Sequence, residues 1–388
     1  MSYLKFRADH LFTGYQWLND QQVLITGKQG EIIDIVPLPE AGEDIHVLNG
    51  ILCPGFINCH CHLELSHLKN VIPEKTGMAR FLVSVIAQRG FPSDQVLAAI
   101  ADAETAMLEN GIVAVGDICN TANTISRKEK RRLYYHNFIE ATGFVEAKAP
   151  QRFAACKTLW EQFQGIGASN SIVPHAPYSV SPALFRLIAS FPGNRLLTMH
   201  NQESAAEEAF FTDGSGDMNE LYQALGIDIS FHRPSGKNSL QTVLPLLPDL
   251  PLLLVHNVTT HEEDLRILKD PARQSGPPFD RIYFCLCPNA NLYIGNPLPD
   301  IDLLRRHGAR LTIGTDSLAS NHQLSILSEL NTLRSHFPHI GTTEMLQWAT
   351  LNGARALGIE HTMGSFTPGK RPGILLIEKD WMGVTRIL

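Results

Sequence analysis

Eight short apolar runs recur along this chain, and several end in histidine or aspartate. They lie at residues 51–57, 111–117, 134–140, 171–175, 196–200, 252–256, 282–287 and 311–316, with helix-like stretches between them. Strands that alternate with helices pair in parallel, because each helix carries the chain back to start the next strand in the same direction. Eight such units in a body of roughly 300 residues predict an α/β protein, a (β/α)8 TIM-like barrel over 54–361. An open doubly wound sheet is the rival fold. It calls for a glycine-rich phosphate turn after an early strand, and none is present.

The flanks read differently. Residues 22–26 and 30–36 are short β segments joined by a glycine-bounded turn, and residues 374–377 form another apolar β run. Chain termini often lie close together. Residues 1–53 and 362–388 are therefore expected to make one small β-sandwich domain. The long excursion between the fifth and sixth runs, broken by glycines at 214, 216 and 236, is expected to be a lid over the barrel mouth.

A net charge of −7 argues against nucleic acid or an anionic membrane as partner. Residues 1–10 lack the apolar core of a signal peptide, and seven scattered cysteines suit a reducing compartment. A cytoplasmic protein with a small-molecule substrate, assembled as a homodimer, is expected. Cys59, Cys61, Cys285 and Cys287 form two C-x-C pairs, read as small buried strand residues in preference to metal clips.

Barrel enzymes place their chemistry at the C-terminal ends of the strands. Here those ends carry His60 and His62, His175, His200, His256 and Asp316. Alternation along a strand points His60 and His62 to one face and Cys59 and Cys61 to the other. A single strand-end histidine is more often a core residue than a ligand, but five strands ending this way are hard to attribute to accident. His60, His62, His200 and Asp316 together give three nitrogens and one oxygen, a set suited to a divalent metal with a position left open for water. Zinc is expected, with Fe2+ as the other candidate.

In order and spacing, the motifs 54-PGFIN-58, His60-x-His62, 200-HNQE-203, His256, 287-CPN-289, 314-GTDS-317 and Gly364 to Lys370 resemble the amidohydrolase superfamily, in its deaminase and chlorohydrolase branch with one metal. Arg371-Pro372-Gly373 departs from the usual Ala-Asp and leaves only the small sheet in question. The resemblance implies that Glu203 shuttles protons, that Asp316 also accepts a proton from water, and that His256 holds the attacking water. Glu203 as a first-turn glutamate favoured by the helix dipole is the plain alternative. His175 is expected at the substrate, with a core histidine as rival. A two-metal variant with a carboxylated lysine is disfavoured, since residues 173–177 offer no lysine.

The pattern HxHLExS resembles the branch that deaminates 6-aminodeoxyfutalosine. That likeness puts Glu64 and Ser66 among the substrate-binding residues, with a solvated loop carboxylate an equal reading of Glu64. The substrate carries a benzoate, and arginine grips carboxylates bidentately. Arg80, Arg89, Arg152, Arg233 and Lys237 are the open candidates, and Arg233 in the excursion is carried forward. Methylthioadenosine or adenosylhomocysteine deamination, triazine chlorohydrolysis and a non-catalytic scaffold are the alternatives.

Overall fold

The structure is a computed structural model that describes residues 3–388. Five strands open the chain: β1 (Tyr3–Phe12), β2 (Trp17–Asn19), β3 (Gln22–Gly27), β4 (Ile32–Pro37) and β5 (His46–Pro54). Eight follow in the middle: β6 (Phe56–Cys61), β7 (Ile112–Cys119), β8 (Tyr134–Ala141), β9 (Ser169–Pro174), β10 (Leu197–Asn201), β11 (Leu252–His256), β12 (Ile282–Leu286) and β13 (Arg310–Ile313). The chain closes with β14 (Ile374–Ile377) and β15 (Val384–Arg386).

The middle strands form two four-stranded parallel sheets, β6-β7-β8-β9 and β10-β11-β12-β13. Their residues are almost all buried, as strands covered on both faces must be, which is why the sequence shows continuous apolar runs instead of alternation. Backbone hydrogen bonds tie the two sheets at both edges. His200 N–H donates to the His175 carbonyl at 2.9 Å, and Thr315 and Asp316 N–H both donate to the His60 carbonyl at 3.0 Å. The strands from the two ends of the chain form one seven-stranded mixed sheet in the order β15-β14-β5-β1-β3-β4, with β2 beside β1. β3 and β4 are the expected antiparallel hairpin.

All seven cysteines are free, and the four of the C-x-C pairs are fully buried. Among the described residues no cysteine joins a metal-like cluster, and no helix is long and apolar enough to cross a membrane. The excursion after β10 folds into the helices Ala205–Thr212, Met218–Ala224 and Ser239–Val243. Phe210, Leu221 and Tyr222 from it pack with Leu65 and Tyr178 in an apolar cluster separate from the main core. The Tyr222 hydroxyl donates to the Tyr178 carbonyl.

Gly116 on β7 sets how closely β6 and β7 approach. A Cβ there would lie 2.4 Å from the Cys59 carbonyl oxygen and 2.9 Å from the Phe138 ring. Because the nearer atom is backbone on a paired strand, it cannot step aside. Gly116→Ala is expected to cost about 1–3 kcal/mol of stability, as overpacked cores do. A urea midpoint equal to that of the parent would contradict this packing.

Candidate metal centre and active site

His60 stands near the end of β6, and His62 one residue beyond it. Their Nε2 atoms come within 3.1 Å of each other. His62 Nε2 lies 3.3 Å from His200 Nε2 and 3.3 Å from Asp316 Oδ1. His60 Nε2 lies 3.6 Å from the same carboxylate oxygen. One ligand atom from each of the four falls within 4.8 Å of all the others, and all four residues are buried.

Bonds from behind fix His200 and Asp316 directly, and the segments that carry His60 and His62 through neighbouring residues. His200 Nδ1 donates to the His175 carbonyl at 2.8 Å, which leaves Nε2 with its lone pair facing the cluster. Ser320 Oγ donates to Asp316 Oδ2 at 2.7 Å. Asn58, just before the histidine pair, exchanges two hydrogen bonds with Thr315, just before Asp316, at 2.7 and 3.0 Å. Leu63 N–H, next to His62, donates to Asp117 Oδ1 at 2.9 Å. Lys128 Nζ in turn holds Asp117 Oδ2 at 2.5 Å, between the rings of Tyr135 and Phe163.

Gln202, His256 and Asp316 have φ of 48°, 75° and 56°, in the left-handed region that side chains disfavour. Such strain persists only where the surroundings over-determine it, and here it falls where strands turn their last residues inward.

Burial holds His62 and His256 down at about 4, and pushes His175 and His200 down as well. Neutral imidazole is the form that ligates metal. For Asp316, burial favours the neutral acid, but its interactions with the His60, His62 and His256 imidazoles outweigh it and hold the carboxyl low. Three nitrogens and a carboxylate oxygen with convergent lone pairs fit one divalent ion.

Glu203 follows β10, just ahead of the helix Ala205–Thr212. Its Oε1 lies 3.3 Å from His256 Nε2. Asn291 Oδ1 accepts from His256 Nδ1 at 2.8 Å, so Nε2 is the bare nitrogen. Burial, with Asp316 second, drives the Glu203 carboxyl well above the usual range. Glu203 Oε2 and His256 Nε2 are buried without a hydrogen-bond partner, as atoms kept for a ligand would be.

Beside this centre is a cavity of about 790 Å3. His175, Glu140 and Asn120 line its polar end; Phe144, Tyr178 and Leu221 are among its apolar walls. His175 Nδ1 donates to Ser179 Oγ at 2.7 Å, since that hydroxyl already donates to the Ala176 carbonyl. Glu140 Oε1 lies 3.9 Å from His200 Nδ1.

Three sequence-based expectations find different surroundings. Glu64 is neither solvated nor on the cavity wall: it is buried, and its carboxylate accepts the N–H groups of Asn120 and Thr121 at 3.1 and 3.0 Å, clamping the loop after β7. Ser66 Oγ donates to the Leu63 carbonyl at 2.7 Å and closes a 3-10 turn. Arg233 is exposed; its guanidinium bonds the carbonyls of Ser230 and His232, and it lines another cavity. Of the five cations, Arg89 and Arg152 line the cavity beside the metal-ligating cluster.

Glu140, Asn291 and Glu207 escaped the sequence reading. Glu140 did carry a signal, an acid closing the third apolar run. Nothing local marks Asn291. Glu207 Oε1 and Oε2 accept the N–H groups of Gln202 and Glu203 at 3.3 and 2.8 Å, and so set the turn that aims Glu203.

Burial pushes the Glu207 carboxyl up to about 7. A folded-state pKa above the unfolded value gives stability that is complete below about pH 4.5 and lost as pH rises through about 7. The melting temperature is therefore expected to fall between about pH 5 and pH 8. Glu207→Gln, though less stable at the start because an amide cannot accept both N–H groups, should show a shallower slope. Parallel slopes would exclude Glu207 as the source.

Comparison with known proteins agrees with this geometry. The chain is 25% identical to adenosine deaminase of Helicobacter pylori, over 83% of this chain and 78% of that one. It is 27% identical to aminodeoxyfutalosine deaminase of Nitratiruptor sp., over 90% and 85%. The structure of Helicobacter pylori aminofutalosine deaminase in complex with methylthio-coformycin superposes with a TM-score of 0.79 at 21% identity, covering 97% of this chain and 92% of that one. The amidohydrolase family model matches residues 51–387, so the chain belongs to the amidohydrolase family and is a hydrolase acting on carbon–nitrogen bonds other than peptide bonds.

Proposed function

We propose that the chain deaminates an aminated purine-type nucleoside by hydrolysis, releasing ammonia, and that its substrate is 6-aminodeoxyfutalosine. The observation that carries this reading is a buried carboxyl group, Glu203, held against the bare nitrogen of His256 at the edge of a four-residue metal-ligand cluster. Adenosine deaminase and aminodeoxyfutalosine deaminase among the relatives support a nucleoside amine as the leaving group.

His60, His62, His200 and Asp316 would hold the metal, with zinc expected and Fe2+ the other candidate. A divalent ion supplies Lewis acidity that brings the pKa of water toward neutrality. The remaining steps belong to side chains. Glu203, kept neutral by burial, donates its proton to a ring nitrogen as water adds to the carbon bearing the amine. Asp316, kept ionised by the surrounding imidazoles, accepts the proton that water gives up. His256 Nε2 accepts a hydrogen bond and holds the attacking water. Glu203, now ionised, takes the proton of the added hydroxyl as that becomes a carbonyl and passes it to the departing amine, which leaves as ammonia; the proton held by Asp316 then returns to Glu203.

The cavity supports the choice of substrate. Its apolar walls suit an aromatic arm, and Arg89 and Arg152 stand where a benzoate can be paired, a role that falls to them in place of Arg233. His175 contacts the substrate from the polar end. The hydrogen bonds at both edges of the two parallel sheets also support a closed (β/α)8 barrel over 54–361. An apolar cluster that includes Phe6, Leu24, Leu52 and Phe366 supports a small sandwich from 1–53 and 362–388.

Glu203→Gln should keep its metal by elemental analysis and lose about 10²- to 10⁴-fold in kcat, the usual scale of general acid–base assistance. A variant with parental kcat would remove Glu203 from the mechanism. Ammonia release should be detected with 6-aminodeoxyfutalosine, adenosine and methylthioadenosine, and kcat/KM should be highest for the first. Arg152→Ala should raise KM about tenfold for the carboxylated substrate alone. Opening of a cyclic amide with no ammonia from any nucleoside would overturn the deaminase assignment.

A further inference from the structure

At the opposite end of the parallel strands is a second concave site. Tyr134 and Ser169, at the starts of β8 and β9, line a cavity of about 410 Å3 together with Gly373, just before β14, and Arg386 at the end of β15. Five cations line it: Lys128, Arg131, Arg132, Arg371 and Arg386. Among the described residues no aspartate or glutamate does. In a chain of net charge −7 such a local excess of positive charge runs against the composition.

Three of the five have carboxylate partners outside the cavity. Lys128 is buried on Asp117, Arg132 reaches Glu104 at 3.6 Å, and Arg371 reaches Glu31 at 3.2 Å. Arg131 forms no ion pair among the described residues, and Arg386 pairs with no aspartate or glutamate. Arg131 bonds only the Ile166 carbonyl, at 3.5 Å, and Arg386 donates to an oxygen of Leu388, the last residue of the sequence, at 3.3 Å. Desolvation, and after it the charge of Arg132, hold Arg386 below the ordinary arginine range. Crowded like charges disfavour one another, and a concave wall of low dielectric concentrates their potential on whatever anion enters.

The shape of the charge selects the ligand. A carboxylate presents two oxygens in one plane and is served by one guanidinium. Here two guanidiniums free of aspartate and glutamate come from separate segments, the turn before β8 and β15, as a tetrahedral dianion needs. The Tyr134 and Ser169 hydroxyls, now bonded to each other at 3.1 Å, add neutral donors. We propose that this cavity binds a small phosphorylated anion, gripped by Arg131 and Arg386 across the junction of the parallel strands with the C-terminal sheet.

The test is calorimetric titration of the metal-loaded full chain with inorganic phosphate and, separately, ribose 5-phosphate at constant ionic strength. Saturable binding of one ligand per chain is expected. It should weaken at least about tenfold in the Arg131→Gln/Arg386→Gln variant, whose deamination kinetics stay parental because both residues lie far from the ligand cluster. Tighter binding of the ester would mark an organic phosphate as ligand, and equal affinity would mark the free ion; either supports the site. No saturable heat at millimolar ligand, or undiminished affinity in the folded double variant, would overturn it.

Discussion

Four ligand atoms whose lone pairs point at a common centre repel one another, and in a buried setting water cannot relieve that repulsion. His60, His62, His200 and Asp316 nonetheless sit within 4.8 Å, ligand atom to ligand atom. What holds them is a set of bonds on their outer sides: the His175 carbonyl behind His200, Ser320 behind Asp316, and the Asn58–Thr315 exchange that joins the turns on which two ligands ride. The Lys128–Asp117 pair serves the same end at one remove, since it fixes the residue after His62. A divalent cation is the natural relief for such a cluster, and its binding then stabilises the fold that prepared the site.

Around that centre, two carboxyl groups are driven in opposite directions. Asp316 sits among imidazoles and stays ionised; Glu203 sits in burial, facing a neutral nitrogen, and stays protonated. Acid and base roles separate in this way without any difference in intrinsic chemistry between the groups. The buried atoms of Glu203 and His256 that lack partners lie where the two environments meet.

The parallel strands were legible because burial on both faces leaves an unbroken apolar run, and the ligands because several such runs lead into a histidine or aspartate that an apolar core would not otherwise tolerate. His60, His62, His200 and Asp316 needed no more than that. Glu64 and Ser66 follow the histidines so closely that sequence proximity suggested a shared task. A 3-10 turn intervenes and sends both side chains into backbone bonding. Arg233 was one cation among five, and the path of the excursion carried it to a different cavity from that of Arg89 and Arg152.

By itself the sequence determined the kinds of chemistry available: nitrogen and oxygen ligands, a nearby acid, and parallel strands to carry them. Such information is local, since hydrophobic run length and residue type are properties of a short stretch of chain. Only the tertiary structure decided which atoms meet. Asn291 selects the bare nitrogen of His256, and Glu140 comes within 3.9 Å of His200, through contacts between segments whose separation along the chain holds no record of distance in space; Glu207 aims Glu203 from four residues on, by a turn that only the folded backbone fixes.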